Sequence, residues 1–337
     1  MSAASATILG CHGVRLTPDE QTFFADARPW GFILFARNVS DAAQLSALTA
    51  ELRDAVGYDA PILIDQEGGR VQRMRGPIWR EWLPALDHMA QAGPANGPRS
   101  MYLRYRLIAH ELRAVGIDVN CAPLADVARQ NTHPVLLNRL YGDDPDRVAE
   151  VALAVAKGHL DGGVLPVVKH LPGYGLGTVD SHHDLPRVSE ARDALQRVDF
   201  KAFIPLGDLP LGMTAHIVYD AYDHELPATM DPSMIRVIRE EIGFKGALIT
   251  DDLSMGALPG EIGKRAERAR RAGCDLILHC NGDLPEMQRV VACSGALDGP
   301  AKSRSDAALA ARRAPDPLDI DAVEADLADL LSGEVYV

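Results

Sequence analysis

Ionisable side chains follow most of the short apolar runs in this sequence. Asp65 ends the run PILID, Lys169 and His170 lie at the end of VLPVVKHL, and Asp251 follows ALIT. Burying a charge at the end of an apolar strand is costly unless the position belongs to a solvated or functional mouth. Other runs end in or near His12, Asp126, His216, His279 and Asn281. Because these residues come from separated segments, their convergence predicts one cleft with acid–base or nucleophilic chemistry.

Two adjacent carboxylates, Asp251 and Asp252, stand at one of these strand ends. A carboxylate in that position can serve as a nucleophile, as a metal ligand or as a helix cap. The following residues, LSM, look like the start of a helix. We therefore expect Asp252 to cap that helix and Asp251 to point into the mouth of the cleft.

A glycine-rich stretch, LPGYGLGTVDSHHD, begins directly after His170. Its glycines lack the spacing of the GxGxxG dinucleotide loop, so they favour a long mobile loop over a nucleotide site. In an extended chain Asp180 and His182 face the same side, and a carboxylate beside an imidazole orients it and favours its protonated form. The pair predicts a general acid/base, while two histidines and two aspartates within 180–184 leave a metal site as an alternative.

The composition is typical of a soluble globular protein of 337 residues, with 47% hydrophobic and 24% charged residues. A net charge of −13 argues against nucleic-acid and anionic-membrane partners and favours a small ligand in a cleft. The five cysteines include no CxxC pair, and the N-terminus lacks the basic segment of a secretory signal. With no run of 18 apolar residues, we expect a cytoplasmic protein without a membrane partner.

Eight short apolar runs alternate with segments of helical periodicity. Leu45, Leu48, Leu52 and Val56, for example, recur at helical spacing, and Ser40 and Asp41 before them are candidate caps. Runs without strict alternation are typical of strands that are buried on both faces of a parallel sheet. This pattern predicts a single-domain (β/α)8 TIM barrel, with an open doubly wound sheet as the alternative. The predicted strands are 7–13, 31–36, 61–65, 118–127, 164–171, 211–218, 247–253 and 274–280.

The C-terminal part of the chain has a different pattern. We expect a catalytic barrel over 1–290 and a helical extension over 291–337 that packs on the barrel. Within this extension, residues 293–318 are rich in Ala, Gly, Pro and charge and predict a loose connection. A last helix is predicted near 320–331.

A series of motifs carries a specific family resemblance. In order they are ILFARN, LIDQEGGRVQR, NCAPLADV, NRLYGDDP, VVKHLPGYG with DSH, MTAH, GFKGALITDDLSM and AGCDLILHCN. Together they resemble the motifs of bacterial β-N-acetylglucosaminidases of glycoside hydrolase family 3. The resemblance runs from about residue 7 to residue 282 and implies a single (β/α)8 barrel that needs no metal or organic cofactor.

The resemblance also implies roles for individual residues. Asp251 corresponds to the nucleophile that forms a covalent glycosyl-enzyme, and His182, paired with Asp180, corresponds to the acid/base. The implied substrate is a small carbohydrate, a muropeptide from which terminal non-reducing N-acetylglucosamine is removed during cytoplasmic cell-wall recycling. We expect the protein to act as a monomer. The implied sugar-binding residues are Asp65, Arg73, Arg139, Lys169 and His170.

The sequence departs from the family pattern at several positions. Leu171 and Tyr174 replace residues of the usual KHFPGHG, Arg139 lies in LLNRLYG and not in a GDR-type run, and His183 is an additional imidazole. Two other interpretations remain open. One is a metal-dependent barrel hydrolase that uses residues 180–184. The other is a sugar-binding barrel without activity. That interpretation predicts that the nucleophile or the pair Asp180 and His182 is lost, but all three residues are present.

Overall fold

Eight parallel strands close into a ring in the computed structural model of the chain, which describes residues 4–177, 185–222, 225–256, 258–331 and 335–336. The strands within these ranges are β1 (Ser5–Leu9), β2 (Pro29–Leu34), β3 (Ile62–Ile64), β4 (Val119–Asn120), β5 (Leu165–Leu171), β6 (Arg187–Val188), β7 (Leu211–Thr214), β8 (Val218–Tyr219), β9 (Ala247–Ile249) and β10 (Ile277–His279). The ring order is β10, β1, β2, β3, β4, β5, β7 and β9, and β6 pairs with β8 outside it. A parallel bridge between Ile249 and Leu276 joins β9 to the start of β10. The predicted (β/α)8 barrel is therefore confirmed, and the open-sheet alternative is wrong.

The helices surround this barrel. Of the two candidate caps, Asp41 is the one that caps α2 (Ala42–Val56), because its carboxylate accepts a hydrogen bond of 2.9 Å from the backbone N–H of Gln44. None of the helices within the described ranges is both long and apolar enough to cross a membrane. The helices are α1 (Pro18–Ala27), α2 (Ala42–Val56), α3 (Ala85–Ala114), α4 (Pro134–Leu137), α5 (Pro145–Asp161), α6 (Arg192–Arg197), α7 (Pro232–Arg236), α8 (Ile262–Ala272), α9 (Leu284–Ser294), α10 (Gly299–Ala310) and α11 (Ile320–Leu331).

The barrel strands are buried on both faces, which explains their continuous apolar sequences. On β2, Ile33 belongs to the cluster inside the barrel, while its neighbours Phe32 and Leu34 belong to the cluster between barrel and helices. Successive side chains of a strand point to opposite faces, so neither face of β2 requires polar residues. The same division places Leu63 inside and Ile62 outside.

Several strands are shorter than the sequence predicts. The run 118–127 forms only the two-residue strand Val119–Asn120, followed by an isolated bridge between Leu124 and Lys169. Pro123 has no N–H to donate, and the N–H of Ala122 turns back to the carbonyl of Asn120 at 2.8 Å. The regular ladder therefore stops, and the rest of the run bends into the loop above the barrel.

The expected loose connection over 293–318 is wrong, because it contains α10. The Gly299–Pro300 start of this helix is a helix-initiation signal that the Ala-rich composition obscured. Ala301 and Ala308 are buried in the same cluster as the side chains inside the barrel. The N–H of Leu297 donates to the carbonyl of Ala4 at 2.8 Å, so α10 covers the N-terminal end of the barrel.

A buried carboxylate ties α10 to the barrel. Asp275, with 1% of its side chain exposed, accepts hydrogen bonds of 2.9 and 2.6 Å from Arg304 and one of 2.7 Å from Arg239. Arg304→Ala leaves Asp275 buried with one guanidinium, so we expect the free energy of unfolding to fall by about 1–3 kcal/mol, measured by urea denaturation.

Lys302→Ala on the same helix is the matched control. Lys302 pairs with Asp306 at 2.5 Å, but both side chains are more than half exposed. We expect its loss to cost about 0.5 kcal/mol or less. Equal losses in the two variants would show that α10 does not stabilise the barrel through Asp275.

Candidate active site

A pocket opens at the C-terminal ends of the barrel strands. Its lining brings together six residues that the sequence predicted, all at or after the ends of β3, β4, β5 and β9: Asp65, Arg73, Arg139, Lys169, His170 and Asp251. In a (β/α)8 barrel this end carries the functional residues. The predicted acid/base pair, Asp180 and His182, lies outside the described residues, as do His183 and Asp184.

Lys169 forms the centre of a buried ion-pair network at the base of the pocket. Its Nζ lies 2.9 Å from Oδ1 of Asp65 and 2.7 Å from Oε1 of Glu67, and the residue is 2% exposed. Burial favours the neutral amine, but the two carboxylates outweigh it and raise the pKa of Lys169. The lysine therefore remains a cation that fixes the positions of both carboxylates.

Asp65 is held ionised by two cations. Arg73 donates from Nη2 to Oδ2 of Asp65 at 3.1 Å, and Lys169 holds the other oxygen. Burial opposes ionisation of Asp65, yet Lys169 and Arg73 together hold its pKa well below the usual range. An ionised carboxylate at the pocket wall is a strong acceptor for ligand hydroxyl groups.

Glu67 links the network to Arg139 and is not among the predicted sugar-binding residues. Arg139 donates two parallel hydrogen bonds of 2.9 and 2.8 Å to the carboxylate of Glu67. Burial opposes its ionisation, but Arg139 and Lys169 lower the pKa of Glu67 to about 2. The sequence signal was its spacing, because Glu67 lies two residues after Asp65 and the two share a side in an extended segment.

Removal of Glu67 has a large expected cost. Glu67→Ala deprives Arg139 of its bidentate partner and Lys169 of one of two carboxylates, all in a buried setting. We expect the free energy of unfolding to fall by about 3–5 kcal/mol, because a buried charge loses its counter-ion. Equilibrium denaturation followed by circular dichroism measures this loss.

Glu81→Ala is the control, because Glu81 lies in the same loop and pairs with Arg75 at a more exposed position. We expect it to cost about 1 kcal/mol or less. A loss for Glu67→Ala as small as that of the control would contradict the role of Glu67 in holding the network together.

His170 is oriented by a buried carboxylate behind it. Its Nδ1 lies 2.7 Å from Oδ2 of Asp126, which is fully buried. The other oxygen of Asp126 accepts from the backbone N–H groups of Tyr174 at 2.6 Å and of His170 at 3.2 Å. Tyr174, one of the departures from the family pattern, packs its ring 5.8 Å from the His170 ring and lines the pocket.

Asp251 lies after β9 and faces the pocket, as predicted. Its Oδ1 accepts a hydrogen bond of 2.8 Å from the backbone N–H of Asp252. Its enclosed position favours the protonated acid, but His216, His170 and that N–H outweigh this effect and lower the pKa of Asp251. The carboxylate is therefore ionised at neutral pH, the form that a nucleophile requires.

Asp252 does not cap a helix, contrary to expectation. Its Oδ1 accepts from the backbone N–H of Ser254 at 3.0 Å and from that of Cys280 at 3.1 Å. These bonds stabilise a turn and attach it to the end of β10. The helix that follows β9 along the described chain is α8, which begins only at Ile262.

His216 contacts the same turn through the carbonyl group of Asp252. The sequence placed His216 at a strand end and predicted no further role for it. Burial lowers the pKa of His216 below its ordinary value, although the nearby Asp251 and Asp252 act in the opposite direction. Its Nε2 lies 3.0 Å from the carbonyl oxygen of Asp252, and its Nδ1 lies 2.8 Å from the Thr229 hydroxyl.

The pocket combines these charged groups with apolar walls. A central carboxylate, fixed cations and apolar side chains suit a ligand that carries many hydroxyl groups on an apolar ring. The lining also contains Arg70 and His133, which the sequence did not predict as site residues. The apolar lining includes Ile33, Phe35, Val71, Met213, Met255 and Leu278.

Comparison with known proteins places this site in a family. The family model described as the N-terminal domain of glycosyl hydrolase family 3 matches residues 9–308 of this sequence. The chain is 39% identical to a β-hexosaminidase from Alkalilimnicola ehrlichii over 282 residues, which cover 81% of this chain and 80% of that protein. It is 36% identical over 276 residues to a β-hexosaminidase from Neisseria meningitidis, with coverages of 79% and 75%.

Solved structures agree with the sequence relatives. Native NagZ from Neisseria gonorrhoeae superposes with a TM-score of 0.83 at 30% identity, over 98% of this chain and 96% of that chain. The same protein in complex with N-trifluoroacetyl-D-glucosamine gives a TM-score of 0.80 at 30% identity, with 98% of each chain covered. With its barrel, its pocket and these relatives in agreement, the chain belongs to glycosyl hydrolase family 3.

Proposed function

We propose that the protein is a retaining exo-β-N-acetylglucosaminidase. The observation that carries this proposal is the position of Asp251, an ionised carboxylate in the same pocket as Asp65, Lys169 and His170. The relatives named β-hexosaminidase, and the related structure with a bound glucosamine derivative, support N-acetylglucosamine as the sugar. Arg73 and Arg139 complete the proposed set of sugar-binding residues.

The proposed reaction has two steps. Asp251 attacks the anomeric carbon while His182, oriented by Asp180, gives a proton to the departing glycosidic oxygen. A covalent glycosyl-enzyme forms on Asp251, and the glycosidic bond breaks. His182 then removes a proton from water, which displaces Asp251 and releases the sugar with its original anomeric configuration.

The proposed substrates are muropeptides derived from peptidoglycan, and the proposed setting is cell-wall recycling in the cytoplasm. A pocket at one end of a barrel suits removal of a terminal sugar. All five cysteines are unpaired, four of them buried, which is typical of proteins in a reducing compartment. Release of N-acetylglucosamine from a purified anhydro-muropeptide, followed by mass spectrometry, tests the substrate directly.

Trapping of the intermediate tests the mechanism. We would incubate the protein with a 5-fluoro N-acetylglucosaminyl fluoride and map the adduct by peptide mass spectrometry. A label on Asp251 is the expected result, and Asp251→Asn is expected to remain unlabelled. Hydrolysis of an aryl N-acetyl-β-glucosaminide without any label would argue for direct attack by water and overturn the retaining mechanism.

The lowered pKa of Asp251 predicts the pH dependence of this trapping. Asp251 attacks only as the anion, and a pKa below its usual 3.8 keeps it ionised until the pH falls below the normal aspartate range. Fluoride leaves with little help from an acid, so the trapping rate reports mainly on the nucleophile. We expect this rate to stay constant between about pH 7 and about pH 5. A fall centred within that interval, with the fold intact by circular dichroism, would contradict the lowered pKa.

A further inference from the structure

One buried carboxylate, Asp126, stands behind the pocket, and of the predicted site residues that the structure describes it contacts only His170. It accepts three hydrogen bonds, from Nδ1 of His170 at 2.7 Å, from the backbone N–H of His170 at 3.2 Å and from the backbone N–H of Tyr174 at 2.6 Å. Asp126 is fully buried, while His170 is 8% exposed and lines the pocket. The aspartate therefore acts on the pocket only through its neighbours.

The contact between Asp126 and the imidazole determines which ring nitrogen faces the pocket. An ionised carboxylate can only accept, so Nδ1 of His170 must carry the proton of the 2.7 Å hydrogen bond. Nε2 is then the nitrogen that remains for a ligand. In the neutral ring it accepts a hydrogen bond from a sugar hydroxyl.

We propose that Asp126 is a positioning residue that fixes the His170 ring with Nδ1 protonated and Nε2 directed to the sugar. The proposal rests on the sugar-binding role proposed above for His170. A carboxylate held by two backbone N–H groups is well suited to this task, because it cannot turn with the ring. The hydrogen bond from the backbone N–H of Tyr174 also holds the chain at this residue, which precedes Asp180 and His182 in the sequence.

Asp126→Asn separates the orientation of the ring from the anchoring of the backbone. The amide oxygen can still accept from the N–H groups of Tyr174 and His170, so the backbone contacts survive. The amide nitrogen, however, presents a donor to Nδ1 of His170. The ring must then accept at Nδ1 and carry its proton on Nε2, which presents the sugar with a donor in place of an acceptor.

Asp199→Asn is the matched control. Asp199 is 1% exposed, and its side chain lies against Gly173, the residue before Tyr174. It bonds to Arg129 and not to His170. Its replacement also neutralises a buried carboxylate, and its amide oxygen can still accept from Arg129. The Asp199→Asn variant therefore shows how much activity is lost when the chain around Gly173 and Tyr174 is disturbed without any change at His170.

The first measurements are kcat and KM on an aryl N-acetyl-β-glucosaminide and the Kd of free N-acetylglucosamine. We expect Asp126→Asn to lower kcat/KM and to weaken sugar binding by about 10- to 100-fold, the effect of one lost or reversed hydrogen bond. We expect Asp199→Asn to change either quantity by less than about 3-fold. Equal effects in the two variants, both still folded by circular dichroism, would overturn the proposal.

The second measurement is independent of activity. In nitrogen-15 spectra of the histidine rings, with the His170 signal identified by its loss in His170→Gln, the neutral ring should carry its proton on Nδ1. In Asp126→Asn the proton should move to Nε2. A ring that carries Nε2–H in the unaltered protein would overturn the proposal. Absence of turnover with the expected ring spectra would instead reject the proposed function and leave the positioning of His170 established.

Discussion

We expect Asp251→Asn to lower kcat on an aryl N-acetyl-β-glucosaminide by a factor on the order of 10⁴ or more, the scale seen when an enzyme loses its nucleophile. Asparagine has the same shape and can still accept the hydrogen bond from the N–H of Asp252, so the turn should persist. What it lacks is the negative charge that attacks the anomeric carbon. Steady-state kinetics, with thermal denaturation to verify folding, measure the effect.

Asp252→Asn is the informative control for this variant, since the two carboxylates are adjacent but have different contacts. Asp252 bonds to the backbone of Ser254 and Cys280, and an amide oxygen can retain part of that bonding. We expect it to lose stability and some turnover, yet still to form the fluorosugar adduct on Asp251. If instead Asp251→Asn kept the adduct and Asp252→Asn lost it, the assignment of the nucleophile would be wrong.

The sequence predicted the end of the barrel that carries the pocket because the relevant signal was local. Asp65, Lys169 and Asp251 each interrupt an apolar run, and the cost of burying charge makes such positions conspicuous. The barrel topology then brings these strand ends together, as the pocket lining confirms. The number of barrel strands was predictable for the same reason, since apolar runs and helical periodicity are properties of neighbouring residues.

The partners of these residues were not predictable in this way. Glu67 is opposite Arg139, 72 residues later, and Asp126 is opposite His170, 44 residues later. No local pattern specifies such a pair, because the geometry of the closed barrel determines it. His216 is a comparable case, since the carbonyl group that it contacts belongs to Asp252, 36 residues away.

Helix α10 and Asp252 show two further reasons for wrong predictions. The α10 sequence consists mainly of small and charged residues, and only Ala301, Ser305 and Ala308 are buried. Leu309 is its one large apolar side chain, so the helix lacks the apolar stripe that marks a helix facing a core. At Asp252 the local pattern of a cap was present, but tertiary contacts to Cys280 determined its use. Local sequence preference determines the role of a polar side chain only where no tertiary contact competes for it.

His182→Ala should produce a loss of activity that depends on the leaving group. For a substrate with a poor leaving group, such as a disaccharide, departure requires a proton, and we expect kcat/KM to fall by about 10²- to 10⁴-fold. A 4-nitrophenolate leaves without that proton, so formation of the glycosyl-enzyme should slow much less. Attack by water still needs a base, and the intermediate should therefore accumulate on Asp251.

His183→Ala is the comparison that makes this prediction specific, because the two imidazoles are adjacent in the sequence. Transfer of the leaving-group dependence to His183→Ala would assign the acid/base to His183 and contradict the pairing of Asp180 with His182. Asp180→Asn should reproduce the pattern of His182→Ala in weaker form, since it removes the charge that favours the protonated ring and leaves the ring itself. Azide, which attacks without a base, should restore turnover of the aryl glycoside in His182→Ala and not in Asp251→Asn, because only the former still forms the glycosyl-enzyme.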